Sequence, residues 1–339
     1  MPRRRYLSII FILLLILFFT ALYGIIAGSV RIPLDEILKA PGQLFSSDKE
    51  DTTLTILFRL RLPRVLLAMA VGASLSIAGA GFQGFFRNPL ADPYVIGASS
   101  GAALGAALAI VLSLPALGPL SSTSLCAFIG ALVATFAAFG ISRFAGDPPP
   151  AVALLLAGTA LSAFFSAVLS LVLVIKDKDM HRVYYWLLGG LGLTSWPELL
   201  TAVPVMLIGG IMVYIASRPL DILIQGDDVA QSLGIDVRRL RFLVAVGASL
   251  AAAAAVASAG IIGFVGLIAP HAMRIIVGPN HRRLLPASAL GGALLVLVAD
   301  IVSRTIVAPL ELPIGIITSI IGAPFFIYLL FKRGHNLGT

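Results

Sequence analysis

Charged residues are scarce in this sequence. Asp, Glu, Lys and Arg make up 12% of its 339 residues, whereas soluble globular domains contain roughly 25%. Hydrophobic residues make up 59%, and the mean hydropathy is +1.02. Such a chain has too few polar side chains to cover a water-facing surface, which excludes an ordinary soluble domain. The net charge of +8 lies in short loops and at the ends of apolar runs, so it does not indicate nucleic-acid binding.

Residue types that carry common chemistry are also few. Cys126 is the only cysteine, so no disulfide can form within the chain. No G-x-x-x-x-G-K-[ST] sequence is present, so the chain does not bind ATP phosphates through that loop. The histidines are scattered without an H-E-x-x-H motif, which argues against a metal site; they are His181, His271, His281 and His335. We therefore expect neither a metal centre nor a catalytic residue.

Long apolar runs are abundant. A membrane-spanning helix needs ~20 mostly apolar residues, and the sequence offers about ten such segments. They are Tyr6–Val30, Val65–Phe86, two within Pro93–Ser142, Pro148–Ile175, Leu199–Ser217, Phe242–Gly260, Ile261–Val277, Leu284–Ser303 and Leu312–Phe331. The first follows Arg3–Arg5 as in a signal peptide, but its 25 uncharged residues are long enough to span, so we expect it to be retained. The pattern predicts an all-α polytopic membrane protein with a single transmembrane domain over residues 1–339.

The positions of the basic residues predict the orientation, because cytoplasmic loops carry an excess of Lys and Arg. With the N-terminus inside, the basic clusters fall on the cytoplasmic side: Arg3–Arg5, Arg87, Arg143, Arg238, Arg239, Arg241, Arg282, Arg283, Lys332 and Arg333. An even number of spans returns the C-terminus to the same side. We therefore expect a multi-pass protein of the cell inner (plasma) membrane, in contact with lipid, with both termini cytoplasmic.

Four arginines fall instead at the outer ends of predicted spans: Arg59, Arg61, Arg64 and Arg304. One interpretation is structural, with Arg304 pairing with Asp300 one helical turn earlier. The other is a basic docking surface for an acidic external partner. The charge pattern alone leaves both interpretations open.

Two short patterns indicate an internal duplication. Ala78–Phe82 (AGAGF) precedes Asn88-Pro89, and Ala259–Phe264 (AGIIGF) precedes Ala269-Pro270-His271. By the order of the spans, the second runs inward and the seventh runs outward. This is the arrangement of an inverted repeat, which is a common plan of transporters.

One polar segment interrupts the apolar sequence. Ser217–Arg241 contains eight charged residues between two long apolar runs, so it must protrude into water, on the cytoplasmic side by the loop charges. Within it, Gly226–Gly234 is typical of a short helix with a glycine at each end. Asp227 and Asp228 lie in its first turn, where acidic side chains favour a helix. Because so little else of the chain is exposed to water, we expect this segment to contact a partner.

Two patterns keep other functions open. Gly97–Gly101 (GASSG) fits the G-x-S-x-G elbow of hydrolases, but it lies in an apolar, alanine-rich run where small residues favour close helix packing. An intramembrane protease that pairs Ser99 or Ser100 with His271 is the alternative. Asp300 is the only acidic candidate for ion coupling inside a span, so an ion-coupled secondary transporter is a further alternative with little support.

With these residues in view, the chain resembles the permease subunits of ATP-binding-cassette (ABC) importers for iron-siderophores, haem and vitamin B12. The similarity covers nearly the whole chain. Several long motifs carry it in order: Arg61–Arg64, Gly84–Gly101, Ser217–Arg241, Gly260–His271, Leu284–Pro286, Ala299–Arg304, Glu311–Gly315 and Gly322–Pro324. The G-x-S-x-G sequence is itself part of this pattern, which weakens the protease interpretation.

The resemblance implies the permease fold of type II importers, with about ten transmembrane helices per subunit. The subunit would work as a homodimer, with the fifth and tenth helices near a central pathway. Two ATPase subunits that bind ATP and Mg²⁺ are implied on the cytoplasmic side, and a periplasmic or lipid-anchored substrate-binding protein is implied outside. The chain itself is then not an enzyme and holds no cofactor. It would translocate an iron-siderophore, haem or vitamin B12 into the cytoplasm.

The resemblance also assigns residues. Gly226–Gly234 matches the coupling helix that contacts the ATPases, through Gly226, Asp227, Asp228, Ala230, Leu233 and Gly234. The arginines that receive acidic residues of the binding protein correspond to Arg61, Arg64 and Arg304. The cytoplasmic gate corresponds to Pro149, Pro150, Ala151 and Val152.

Two features of these segments are particular to this sequence. The gate segment has Pro150 and Ala151 where the family pattern has small hydroxyl residues, which puts its sealing residues in question. Met180–Trp186 (MHRVYYW) contains aromatic residues on the outer side. They either meet a flat ligand or belong to the aromatic belt at the membrane interface.

Overall fold

The computed structural model describes residues 1–28, 52–118, 121–146, 151–192 and 194–337, and over these ranges it contains helices and no strand. We label the main helices in chain order: α1 (Arg3–Ile26), α2 (Leu62–Phe85), α3 (Ala98–Val111), α4 (Ser122–Ser142), α5 (Ala151–Ile175), α6 (Met180–Leu187), α7 (Trp196–Ile215), α8 (Ser217–Leu223), α9 (Asp227–Ser232), α10 (Val237–Ala259), α11 (Val265–Val277), α12 (His281–Thr305) and α13 (Ile314–Leu337). A π-helical turn over Thr55–Arg61 leads directly into α2.

The lengths of the helices fit a polytopic membrane protein. In the described part of the chain, seven helices are long and apolar enough to cross a membrane: α1, Thr52–Phe85 with α2, Ser122–Ala145 with α4, α5, α7, α10 and α12. Three shorter apolar helices accompany them: α3, α11 and Ile314–Leu329 of α13. The predicted all-α polytopic fold is confirmed, while the count of ten spans stays a prediction. With 14 and 13 residues, α3 and α11 are only about 20 Å long, against a hydrocarbon core of about 30 Å.

Contacts between helix termini define two ends of the bundle. At the loop end, which contains Ser217–Arg241, Nη1 of Arg283 in α12 donates to the carbonyl oxygen of Met1 (2.6 Å). At the opposite end, Nη1 of Arg304 donates to the carbonyl oxygen of Ala27, just beyond α1 (3.0 Å). The helices α1 and α12 therefore run side by side in the same direction, as their predicted places as first and ninth spans require.

The centre of the bundle is formed by α2 and α10. In each of them, 72% of the most apolar stretch is buried, compared with 6% in α1 and 11% in α5. Small residues permit this central packing. A Cβ atom added to Gly72 in α2 would lie 2.1 Å from the carbonyl oxygen of Gly292 in α12, so the two backbones touch where only glycine fits.

The pairs α2–α3 and α10–α11 have the geometry of an inverted repeat. The long helix α2 runs from the opposite end to the loop end, and α10 runs the other way. Each is followed by a non-helical segment (86–97 and 260–264) and then by a half-length helix. The two segments meet where Tyr94 Oη donates to the carbonyl oxygen of Ile262 (3.2 Å). This arrangement agrees with the predicted inverted repeat, which stays a prediction.

In two of the helices that begin earlier than their predicted spans, α7 and α10, a capping residue marks the start. Ser195 Oγ accepts a hydrogen bond from the Glu198 N–H (3.5 Å), so α7 begins at Trp196 instead of Leu199. Asp236 Oδ1 accepts from the Arg239 N–H (3.0 Å), so α10 begins five residues before Phe242. Apolar runs locate the membrane, whereas caps locate the ends of the helices.

Candidate functional site

The polar segment Ser217–Arg241 folds as two short helices that precede α10. After α8 the chain turns at Gly226 (φ 137°) into the six-residue helix α9. Gly234 (φ 78°) follows this helix in the left-handed region, which glycine adopts without steric strain. The Ile235 N–H donates to the carbonyl oxygen of Ala230 (3.0 Å) and closes the turn. The predicted short helix with a glycine at each end is confirmed.

Asp227 is held by two arginines of its own chain. Its Oδ2 lies 2.8 Å from Nη2 of Arg241 in α10, and its Oδ1 accepts from Nη2 of Arg87, which follows α2. The guanidinium of Arg241 also lies over the Phe85 ring, 6.0 Å from its centroid, which is a cation–π distance. The Asp227 carboxylate therefore fastens α9 to the ends of α2 and α10.

The outer side of α9 presents apolar side chains to water. Ala230 is fully buried beneath the helix, whereas Val229 is 42% and Leu233 is 63% exposed. Ile224, just before the turn, is 40% exposed, and Asp228 is exposed beside them. We call Ile224, Asp228, Val229 and Leu233 the loop patch. Exposed apolar side chains in a segment too polar for lipid indicate a contact surface for another protein.

The preceding helix, α8, is fastened to α12. Asp221 Oδ1 accepts from the His281 N–H (2.9 Å) and lies 2.6 Å from His281 Nδ1. His281 is almost completely buried, and Leu220 and Leu223 place the other side of α8 in the core. The two arms of α9 are therefore anchored to different membrane helices. A displacement of α9 must reach α2, α10 and α12.

The three predicted docking arginines come together at the opposite end, but they are buried. Arg61, Arg64 and Arg304 have relative exposures of 6%, 9% and 2%. Nε of Arg64 lies 2.8 Å from Asp300 Oδ1, and its Nη1 lies 2.9 Å from Glu311 Oε2. Nη2 of Arg304 lies 2.9 Å from Asp300 Oδ2. The alternative pairing of Arg304 with Asp300 is confirmed. Arg64, Arg304, Asp300 and Glu311 form one ion network, and Arg61 lies at the same end of the bundle.

Two of these arginines also donate hydrogen bonds to the last carbonyl groups of α1. Nη1 of Arg61 donates to the carbonyl oxygen of Ile25 (3.1 Å), and Nη2 of Arg304 donates to that of Gly24 (3.1 Å). The last carbonyl groups of a helix have no partner within the helix, and basic side chains satisfy them. Docking of an external protein stays a prediction, and an acidic partner would compete with these internal contacts. Of the four outer arginines, Arg59 is the exposed one.

The predicted gate is described in part. Pro149 and Pro150 lie outside the described residues, whereas Ala151 begins α5 and Val152 is 66% exposed. Beyond the gate, α5 presents a wide apolar face: Leu156, Phe164, Leu171, Val174 and Ile175 are exposed. The last long helix, α13, presents Ile320, Ile321, Ile327 and Tyr328 in the same way. In the single chain, α5 and α13, the predicted fifth and tenth spans, therefore have faces that lipid or a second copy would cover.

The residues of the two alternative functions have structural partners. Ser100 Oγ donates to the carbonyl oxygen of Gly97 (2.9 Å) in the first turn of α3. The His271 ring lies 6.0 Å from that of Phe325, edge to face. Asp300 is fully buried between two arginines. The geometry therefore favours neither a serine nucleophile nor an ion-binding carboxylate.

Several polar groups of the structure escape prediction from the sequence. Arg87 (φ 52°) and the Asp221–His281 pair belong to the two anchors of α9. Glu198 lies inside α7, where its Oε1 accepts from Ser124 Oγ of α4 (3.2 Å). Because a glutamate interrupts an apolar run, the sequence places it before the sixth span. The capping pattern Ser195-x-x-Glu198 is the signal that extends the helix over it.

Comparison with known proteins identifies the family. Residues 13–332 match the FecCD transport family. A cobalamin import system permease protein, BtuC, of Halobacterium salinarum is 45% identical over 284 residues, covering 84% of this chain and 75% of that protein. A hemin transport system permease protein, HmuU, of Yersinia pestis is 42% identical over 293 residues, covering 86% of this chain and 87% of that protein.

A solved structure agrees with this assignment. A metal-chelate type ABC transporter in an inward-facing conformation superposes with a TM-score of 0.83 at 33% identity, covering 96% of this chain and 99% of that chain. Members of the family are transport permeases that work with ATPase subunits and substrate-binding partners. The chain therefore belongs to the FecCD transport family and is a multi-pass permease of the ABC importers whose members are named for metal chelates, haem and vitamin B12.

Proposed function

We propose that this chain is the membrane subunit of an importer that moves a metal chelate into the cytoplasm, driven by two separate ATPase subunits. The loop patch carries the proposal. It is an exposed apolar surface on a short helix whose inner side is buried at Ala230 and fastened at Asp227. A helix that is exposed on one side and anchored on the other can pass a movement of an ATPase to the membrane helices.

The residues of Gly226–Gly234 then divide into three tasks. Gly226 and Gly234 set the turns that isolate the helix, and Asp227 and Ala230 attach it to the chain. Asp228 and Leu233, which are exposed, contact the ATPase. The ATP and Mg²⁺ belong to that partner, and the permease binds no cofactor of its own. On this proposal, the protein lies in the inner membrane, with its loop end and both termini on the cytoplasmic side.

We propose that the permease works as a homodimer. A second copy related by a twofold axis would cover part of the apolar faces of α5 and α13 and enclose a pathway between them. Val152, at the loop end of α5, would then lie at the cytoplasmic gate together with Pro149, Pro150 and Ala151. An apolar wall offers a chelate few hydrogen bonds, so the substrate binds weakly and can be released.

At the opposite end, a periplasmic or lipid-anchored binding protein delivers the substrate. At this end the network balances Arg64 and Arg304 against two carboxylates, and Arg61 adds a further positive charge beside α1. Arg59 is exposed there for direct contact with acidic groups. Contacts of this kind mainly set orientation and association rate. The proposed substrate class is an iron-siderophore, haem or vitamin B12, because relatives named for cobalamin and for hemin both match most of the chain.

The experiment is uptake of radiolabelled cobalamin, haemin or a ferric siderophore into proteoliposomes that contain the permease, its ATPase and the loaded binding protein. Uptake of one chelate is expected to require ATP. Leu233→Asp is expected to reduce this uptake by about tenfold or more, because it places a charge in an apolar contact. Gln231→Glu is the matched control, since Gln231 is exposed on α9 outside the loop patch. Uptake that persists without nucleotide and collapses with an ionophore would show an ion-coupled secondary transporter instead.

A further inference from the structure

A cavity of about 590 Å³ opens at the opposite end of the bundle. The start of α4, the helix α6, the start of α7 and the end of α10 surround it. A single water needs only about 10–15 Å³ of such space, so the cavity holds many waters. It is therefore large enough for a molecular headgroup and not only for an ion. Its lining includes one carboxylate, one guanidinium and several hydroxyl groups.

The carboxylate is Glu198, which lies half-buried in the first turn of α7. In a reciprocal capping box, this side chain would turn back to the N–H of Ser195. Here Oε1 instead accepts from Ser124 Oγ across the cleft (3.2 Å). The carboxylate thus forms part of the cavity wall, and its negative charge is available to a positively charged group inside the cavity.

The guanidinium is that of Arg182, which lies on α6 with its side chain 68% exposed and its Nη1 3.6 Å from Asp179 Oδ1. An exposed ion pair of this length contributes little, so the guanidinium can still donate to a phosphate. It lines the same cavity as Glu198, beside the aromatic rings of Tyr185 and Trp186. Hydroxyl groups of Ser121 and other residues of the lining add hydrogen-bonding partners. The cavity therefore holds one positive and one negative group together with neutral donors, which complements a molecule that carries both signs of charge.

An apolar slot of about 190 Å³ continues from this cavity. Five residues line both spaces: Ser121, Ser124, Glu198, Ala257 and Ser258. Below them the walls are apolar, with Phe128, Ala202 and Val205 among them. Val205 lies seven residues beyond Glu198 on α7, so the slot descends about 10 Å along the helix, into the depth of the membrane.

We infer that this cleft binds one phospholipid with a zwitterionic, ammonium-bearing headgroup of the ethanolamine type. The ammonium pairs with Glu198, the phosphate pairs with Arg182, and one acyl chain lies in the slot. A lipid with an anionic glycerol headgroup has no cation for Glu198 and would bring a second negative charge close to it. A free ion or a water-soluble chelate would leave the apolar slot unused. This lipid site lies at the opposite end of the bundle from the loop patch, and it adds a ligand to the proposed function.

The test is native mass spectrometry of the full-length permease purified with its ATPase from nanodiscs of equal ethanolamine and glycerol phospholipid. The wild type is expected to retain ethanolamine lipid in at least tenfold preference. Glu198→Gln, which keeps the shape, is expected to reduce that retention about tenfold, equivalent to about 1.4 kcal/mol. Ala202→Leu, which fills the slot, should reduce retention of both lipids. Asp177→Asn is the control, because Asp177 is exposed and does not line the cleft.

Several results would overturn the inference. Equal retention of the two lipids by the wild type, or a preference for the glycerol lipid, would remove its basis. Unchanged retention in Glu198→Gln, with a melting temperature equal to that of the wild type, would do the same. If Glu198→Gln weakened binding of the substrate-binding protein while lipid retention stayed constant, the cleft would belong to that protein instead.

Discussion

At the scale of single residues, two adjacent aspartates of α9 have different tasks. Asp227 lies between Arg87 and Arg241, whereas Asp228 faces water in the loop patch. The sequence predicts both at the start of a helix and gives no reason to assign them different roles. It cannot separate them, because the pairing depends on how the chain folds: Arg87 lies 140 residues before Asp227, and Arg241 lies on the next helix, α10.

Asp227→Asn should therefore impair coupling, and it should do so without weakening the contact with the ATPase. The ion pairs are partly exposed, so their combined contribution is about 1 kcal/mol, and we expect about a fivefold loss of ATP-driven uptake. The measurement is uptake together with the affinity of the ATPase for the permease. Asp228→Asn is the matched control and should change that affinity while α9 stays anchored. A loss of affinity in Asp227→Asn equal to that in Asp228→Asn would show that both aspartates contact the partner.

The arginine network makes a prediction about stability. Arg304→Gln removes one of two partners from Asp300, which is fully buried, and leaves its charge poorly compensated. Breaking a buried ion pair from one side costs about 3–5 kcal/mol. We expect a marked drop in the melting temperature of the detergent-solubilised permease, measured by its intrinsic fluorescence.

Arg59→Glu is the control for that variant, since Arg59 is exposed at the same end. Its melting temperature should match that of the wild type, while its affinity for the binding protein should fall, more strongly at low salt than at high salt. The reverse pattern, with a stable Arg304→Gln that no longer binds the protein, would assign docking to the buried arginines themselves.

At the scale of helices, apolar runs and glycines predict where the helices lie, whereas the charged residues predict little about their contacts. The glycines at 226 and 234 predict α9, and the runs predict every long helix to within about six residues of its bounds. The sequence does not predict that α3 and α11 are only 14 and 13 residues long. Apolar residues of the adjoining turns extend the runs beyond the two helices. The contacts of Arg61 are also not predictable, since they depend on where α1 ends against α2.

At the scale of the whole molecule, the uncovered faces of α5 and α13 predict where two copies meet. In a Cys126→Ser background, single cysteines at Leu156, Phe164, Leu171 or Val174 should give disulfide-linked dimers on oxidation. Residues near a twofold axis lie close to their own copies in the partner. The readout is electrophoresis without reductant.

Phe11→Cys is the control for this series, because Phe11 is 66% exposed on α1, a helix that is buried along only 6% of its most apolar stretch and is expected to face lipid. It should give no disulfide-linked dimer. Dimers formed by Phe11→Cys and by none of the α5 variants would place the interface on α1 instead.

The double attachment of α12 has a consequence for movement. This helix of 25 residues, about 37 Å long, is fastened to α8 by His281 and to α1 and α2 by Arg304 and Asp300. When α9 is displaced, we therefore expect α12 to move together with α8 and α2, and we expect α5, which has neither of these attachments, to move relative to them. Spin labels on α12 and α2 should report one constant distance through the ATP cycle, whereas labels on α12 and α5 should report two.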